Sequence, residues 1–532
     1  MTTCYHHARI FTGNHQGAEC FVVENGRFAH VGSYTEALHR YPEAQQIDLG
    51  GKFVCAGFND SHMHLLNLGC MLTQAQLAPA TDSLSGMLQT LSAFVQSHAQ
   101  EEWILGRGWN QDYFEDETRY PNRYDLDTIC PDKPCMITRA CGHVAVANSK
   151  ALELAGISKE APIVDGGHVV TDESGCPNGV LEENALELIH DIIPAPDRAQ
   201  IKQSLLLAMA HVNRFGITSV HSDDFSSTKA PFEEVIQAYL ELKREGKMTV
   251  RVTQQCLLPD KDTLRRFLDQ GYCTGWGDEW FRIGPLKLIG DGSLGSRTAL
   301  LHQPYSDAPY TCGIATYSPD KLDELIETAH NAGMQVAIHA IGDGAAENVL
   351  HAVEHAQKLN PREDARHGIV HAQILNHGQA QRMKLLNMHA YIQPIFLDYD
   401  TKIVYPRVGC RADEAYPAAS LLRLGVTISG GSDSPVEPPD VMTGIQCAIT
   451  RKPVTRTQEQ AYLPHEALSL PQALLSFTAY GAYASFEESI KGKIAEGMLA
   501  DFTILGIDPF ETDPQYLSRI PIRQTYIAGN PV

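Results

Sequence analysis

Apolar positions along this chain follow two rhythms that alternate. In "YSPDKLDELIETAHNAGMQVAIHAIGD", residues 317–343, Leu322, Leu325, Ile326 and Ala329 fall on one helical face. Ser318 suits the N-cap, Pro319 the first helical position and Asp320 the positive helix end, while Gly333 stops the helix. The run "MQVAIHA" that follows is apolar on both faces, as a strand covered on both sides must be. The same phrase recurs where "LLLAMAHVNRFG" leads into "ITSVHS" and "AASLLRLG" into "VTISGGSD". Strands are expected near 53–58, 217–222, 249–255, 284–289, 335–340, 368–372, 389–393 and 426–431. Eight parallel strands with helices between most of them predict an α/β protein, a closed (β/α)8 TIM barrel.

Between the first two strands lie about 150 residues, far more than a helix needs. This stretch carries its own helical patterns, "LSGMLQTLSAFVQ" and "NGVLEENALELIHDII", and a hairpin pattern, "VDGGHVVTDESGCPNG". It predicts a large insertion after the first strand, about 72–198, over one side of the barrel mouth. Both ends of the chain, "AECFVVENGRFAHVGS" and "GKIAEGMLADFTILGIDP", alternate in the β manner with tight-turn glycines. They predict a composite β-sandwich domain, 1–54 with 488–532, beside a barrel domain spanning 55–487.

The bulk numbers narrow the functions. The 532 residues are 43% hydrophobic and 20% charged, as in a soluble globular protein. A net charge of −22 repels nucleic acid and anionic membranes. No apolar run reaches the length of a membrane span, and the N-terminus lacks the pattern of a secretory signal. The 13 cysteines show no paired spacing. Cys130, Cys135 and Cys141 come nearest to a cluster but lack a second half, so reduced thiols in a cytoplasmic protein are expected.

Barrel enzymes carry their chemistry at the carboxyl ends of the strands. Here "NDSHMH" places His62 and His64 two apart, on one side of an extended segment. Lys287 lies in "GPLKLIGDGS", His339 in "VAIHAIGD", His371 in "GIVHAQ" and Asp433 in "ISGGSDSP". Four imidazoles, a carboxylate and a lysine suit a borderline divalent ion such as zinc. His221 also ends a strand, but that set already fills a site. His6, His7, His211, His330, His355 and His377 read as surface residues. Lys287 has two readings. A depressed pKa would let its neutral amine add carbon dioxide, giving a carbamate that bridges two metals; otherwise it is a buried lysine paired with Asp291 or another acid.

At these residues the chain resembles the amidohydrolase superfamily, specifically the family 3 amidohydrolases that include N-substituted formamide deformylase-like metal-dependent hydrolases. The likeness spans nearly the whole chain through "AGFNDSHMHLLNLG", "GRGWNQDYF", "ITRACGHVAVANSKALELAGI", "GPLKLIGDGSLGSRTA", "AIHAIGDGAAENVL", "RHGIVHAQ", "SGGSDSPV" and "GKIAEGMLADFTIL". It implies one or two divalent metals, zinc by preference. His62, His64 and Asp433 would hold the more buried ion, His339 and His371 the other, and Lys287, N6-carboxylated, would bridge them. Val370 departs from the pattern, standing where such proteins often carry Glu.

The implied reaction is metal-assisted hydrolysis of a small-molecule substrate, with Asp433 as general base and then acid. A second metal or His143 would stabilise the oxyanion. Trp109, Asn110 and Tyr113, with Phe396 and Tyr399, either line the substrate pocket or form an aromatic core. Asp291 and Arg297 either contact substrate or fix the loop after Lys287. The Gly-rich "GDGA" lacks the spacing and lysine of a phosphate-binding loop. Amide-type C–N bonds other than peptide bonds are the leading target. The alternatives are esters, lactones or cyclic amides on the same site, or an inactive barrel used as an assembly scaffold, which would need no Asp433. A homo-oligomer remains open.

Overall fold

The computed structural model describes residues 2–13, 18–80, 82–117, 119–140, 142–157, 161–455 and 460–532. It divides into two compact units, residues 1–68 with 205–532, and residues 69–204.

The first unit contains eight parallel strands in chain order: β1 (Phe58–Met63), β2 (Ile217–Ser222), β3 (Arg251–Leu257), β4 (Phe281–Ile289), β5 (Val336–Ala340), β6 (Gly368–His371), β7 (His389–Ile392) and β8 (Thr427–Gly430). The two edges meet and nearly close the barrel. Ser61 Oγ donates to Gly430 O at 2.9 Å, Asp433 N to His62 O at 2.8 Å and His64 N to Ser434 O at 2.8 Å. A side chain at Gly431 would lie 2.7 Å from His62 N, so glycine is what allows this approach. The helix Pro319–Asn331 forms as its pattern predicts, capped by Ser318 Oγ, with Leu322, Leu325, Ile326 and Ala329 buried.

The first strand is displaced from its expected place. The apolar run 53–58 is not one strand, because it breaks at Gly57. A Cβ there would collide with Thr218 at 2.2 Å, and the chain changes sheets at that point. Phe53–Ala56 pairs antiparallel with Phe502–Leu505, while Phe58 onward enters the barrel. The barrel strand therefore runs on to Met63, and His62 lies within it rather than after it.

Both chain ends share one mixed sheet of eight strands. Its core stacks Tyr5 on Phe21 at 5.0 Å and sets Phe21 edge-on to Phe502 at 4.9 Å, which ties residues nearly 500 positions apart. Arg251, fully buried at the start of β3, is matched by Asp501 through two bonds of 2.6 and 3.0 Å.

The 69–204 unit has its own six-stranded sheet and two apolar cores. The hairpin appears, with Gly167–Thr171 antiparallel to Pro177–Glu183. The helical reading of "NGVLEENALELIHDII" is corrected in its first half. Val180 and Leu181 alternate into the sheet, and only Glu187–His190 forms an α-helix. His330 is likewise corrected. It is fully buried on the inner face of its helix, with Nε2 donating to Asn360 O at 2.6 Å. Every one of the 12 described cysteines is a free thiol, and Cys141 lies outside the described residues. Among the described residues no helix is long and apolar enough to cross a membrane.

Beneath the barrel, Ala484 packs on Ala337, Val370 and Tyr391, so the Val370 position belongs to an apolar layer. Just beyond, buried Glu487 meets Lys491 Nζ at 2.8 Å and Arg282 at 3.3 Å. Burial opposes ionisation of Glu487, but these cations outweigh it and hold its pKa near 2, below the ordinary 4.5. A depressed carboxyl stabilises the fold above the unfolded-chain value and loses that contribution as pH falls through the folded one. Glu487→Gln should therefore cost about 3 kcal/mol at pH 7, by leaving Lys491 unpaired. In urea unfolding, its deficit against the wild type should shrink as pH drops from 4.5 towards about 2. A deficit independent of pH would refute this role for the carboxylate.

Candidate metal centre

At the carboxyl end of the barrel, strand alternation turns His62 and His64 of the first strand segment to the same side. Their Nε2 atoms converge on one oxygen, Asp433 Oδ1, at 3.3 and 3.1 Å. Asp433 reaches it from a left-handed backbone (φ 60) after β8. These three residues offer one donor atom each, all within 4.8 Å of one another. On the facing wall His371 Nε2 lies 2.9 Å from His339 Nδ1, and the His371 ring sits edge-on to His62 with centroids 5.6 Å apart.

The outer nitrogens decide what these rings can do. His64 Nδ1 lies 3.0 Å from Asp223 O, and His339 Nε2 lies 3.0 Å from Gly292 O. A carbonyl only accepts, so both nitrogens carry the proton. His62 Nδ1 faces Gln255 Oε1 at 2.6 Å, and His371 Nδ1 faces Gln393 Oε1 at 2.8 Å. Each glutamine is oriented by its own amide nitrogen, which donates to Ser61 O or Tyr391 O at 3.2 Å. In the neutral rings all four inner nitrogens are thus acceptors. Those of His62 and His64 face the Asp433 carboxylate, and those of His339 and His371 face each other at 2.9 Å, which is repulsive unless a cation stands between. The donor set fits a divalent metal, with outer hydrogen bonds of the kind that orient metal-binding histidines.

The electrostatics follow from burial and from Asp433. Burial pushes His62 down to about 4 and His371 well below the usual imidazole range, so both stay neutral. Burial also opposes charge on His64, yet its hydrogen bond to Asp433 raises it to about 9, and a proton takes the cation's place there. Asp433 is buried too, but the His62 and His64 rings beside it hold it well below the ordinary carboxylate range.

Lys287 is buried in β4, where burial lowers its pKa against the opposing pull of Asp223 and Asp433. Its charge also acts on His62 and His371. Of the alternative pairing with Asp291 or another acid, Asp291 is not the partner, and Asp223 and Asp433 are the acids that act on Lys287. Asp291 instead accepts the backbone N–H groups of Leu300, Ile341 and Gly342 at 2.8–3.0 Å and faces His339 Nε2 at 3.3 Å. It fixes the loops after β4 and β5. Arg297 grips Asp307 with bonds of 3.1 and 2.8 Å and so also serves its loop. Phe396 stacks on His371 at 5.8 Å, and Tyr399 is exposed nearby in sequence. His221 sets its ring edge-on to Tyr391, with centroids 6.1 Å apart.

The remaining candidates belong to the 69–204 unit. Trp109 is committed to that unit's core, its Nε1–H donating to Ile137 O at 3.2 Å. Asn110 Oδ1 accepts from Arg139 at 2.8 Å, Tyr113 is exposed, and His143 Nδ1 pairs with Glu183 at 2.9 Å.

Gln255, Gln393 and Asp223 escaped the sequence reading. Part of the signal was present: Asp223 and Gln393 directly follow strands, as in "AYIQ", while Gln255 lies within the polar stretch "VTQQCL". Glu437 escaped as well; burial and the charges of Asp398, Asp400 and Asp433 raise it to about 7.

A parallel barrel that gathers this set at one end suits a metal-dependent enzyme. The sequence profile of the Amidohydrolase family matches residues 45–532. The chain is 35% identical over 537 positions, 99% of both proteins, to YtcJ of Bacillus subtilis (strain 168), a provisionally assigned amidohydrolase. It is 27% identical to N-substituted formamide deformylase of Arthrobacter pascens, across 96% of this chain and 94% of that one. An uncharacterized metal-dependent hydrolase from Pyrococcus furiosus superposes with a TM-score of 0.81 at 30% identity, over 96% of this chain and 100% of the other. The chain belongs to the amidohydrolase family.

If Gln255 sets the His62 tautomer, Gln255→Leu should weaken metal affinity roughly 10- to 100-fold with the fold retained. Competition with a chromogenic chelator measures this, and an unchanged affinity would remove the role.

Proposed function

We propose that the chain hydrolyses an amide-type C–N bond, other than a peptide bond, in a small molecule such as an N-formyl or N-acyl amine. The observation that carries the reading is the cluster of four inward imidazole acceptors around the Asp433 carboxylate. The likeness to a protein named as a formamide deformylase supports the bond type.

In this reading His62, His64 and Asp433 hold a divalent ion, zinc by preference. His339 and His371 would hold a second where the site is binuclear, and Lys287, carboxylated, would supply a further oxygen ligand. A divalent ion bound there lowers the pKa of water towards neutrality and polarises a scissile carbonyl. The protein's own groups do the rest. Gln255, Gln393 and the carbonyls of Asp223 and Gly292 keep the four rings aimed inward. Asp433, kept ionised by its two histidines, accepts the proton of the attacking water and returns it to the departing amine. Phe396 shields the His371 face. We read the terminal sheet as part of a β-sandwich, residues 69–204 as an insertion in the barrel sequence, and the free thiols as those of a cytoplasmic protein.

Chelation should abolish hydrolysis of N-formyl amines, and added zinc should restore it. Asp433→Asn should retain bound metal while losing roughly 10²- to 10⁴-fold in kcat. Elemental analysis alongside steady-state assays measures both quantities, and an Asn variant with wild-type turnover would remove Asp433 as the proton carrier.

A further inference from the structure

Two of the three cysteines that lie nearest in sequence, Cys130 and Cys135, meet in the folded chain. They bound the loop "CPDKPC" between the short helix Arg123–Asp127 and the strand Cys135–Arg139, and both belong to one apolar cluster. Their thiols are hydrogen-bonded to each other. One buried side chain holds this arrangement. Asn148 Nδ2 donates to Cys130 O at 2.7 Å and to Lys133 O at 2.8 Å, while its Oδ1 accepts from Cys135 N at 3.0 Å. Both ends of the loop are thus tied to a single point, with the sulfurs side by side.

The two thiols are not alike. Cys135 is fully buried, whereas Cys130 directly precedes the exposed Pro131 and Asp132. The hydrogen bond from Cys135, aided by the Lys133 backbone and charge, lowers Cys130 from the ordinary thiol value to about 7. The same bond raises Cys135. Cys130 therefore carries thiolate character near neutral pH, and the thiolate is the nucleophilic form. Cys4 and Cys20 also adjoin, but burial raises both, Cys20 to about 12.

We propose that Cys130 and Cys135 are a site of reversible disulfide formation by hydrogen peroxide, with Cys130 attacking and Cys135 resolving. The Cys130 thiolate attacks one peroxide oxygen and breaks the O–O bond. Cys130 becomes a sulfenic acid, and the hydroxide released takes the Cys135 proton as water. The Cys135 thiolate then attacks the Cys130 sulfur, breaking its S–O bond, and that hydroxide leaves with the proton first held by Cys130 as a second water. The two sulfurs lose two electrons in all, and the peroxide oxygens gain them.

The test uses the full chain, reduced and then treated with hydrogen peroxide at neutral pH. Remaining thiols are alkylated after unfolding, and the protein is digested with trypsin. Lys133 precedes Pro134, where trypsin does not cut, so both cysteines stay on one peptide, residues 124–139. That peptide should become two hydrogens lighter and escape alkylation, and dithiothreitol should restore both labels. Cys4 and Cys20 should stay labelled. In Cys135→Ser, Cys130 should stop at the sulfenic acid and be captured by dimedone. If that variant does not fold, the wild-type peptide decides. Both labels retained after peroxide, sulfinic acid at Cys130 in the wild type, or a crosslink from either residue to another cysteine overturns the proposal. Loss of the Cys4 and Cys20 labels at the same peroxide dose would make the reaction unselective and overturns it as well.

Discussion

Four imidazoles have their outer nitrogens committed as donors, and the inner face of the barrel depends on that constraint. Two backbone carbonyls and two oriented glutamine amides fix the tautomers, so four lone pairs and a carboxylate face one another. Mutual repulsion of acceptors is tolerable only around positive charge. In the protein alone, a proton at His64 supplies part of it. The rest of the structure holds this arrangement in place against its own repulsion.

The barrel does so by closing β8 onto β1. Gly431 lets the two backbones approach, and Asp60 staples them by accepting from Ser432 N at 3.0 Å and from the Ser432 hydroxyl. That closure carries Asp433 under His62 and His64. On the opposite wall, the loops after β4 and β5 are pinned by Asp291, which places Gly292 O against His339. Below, the Glu487–Lys491–Arg282 cluster and the apolar layer around Tyr391 fill the barrel floor.

Much of this was legible in the sequence. Strand-end histidines, Lys287 and Asp433 could be read from apolar runs that end in a ligand type, and the eight strands from alternation with helical faces. What stayed hidden depends on contacts between distant segments. Gly57 divides an apolar run between two sheets because Thr218 lies against it, and no local pattern reveals that neighbour. His330 looks like a surface residue until its helix face is packed against Asn360 and His367. Trp109 sits in "GRGWNQDYF", one of the stretches that carry the resemblance, yet its indole serves a core. Asp291 resembles a partner for Lys287 by proximity in sequence, but three backbone N–H groups from two loops claim it. Hydrogen-bond allocation is a property of the folded site, and a linear reading sees only the residue types available for it.

The most direct test is the number of metal ions per chain. Protein purified without chelator or added metal should contain between one and two divalent ions by elemental analysis, because the inward acceptors require compensation. Protein that remains metal-free after reconstitution with zinc, manganese and cobalt would contradict the account, and the four rings would then be hydrogen-bonded structural residues.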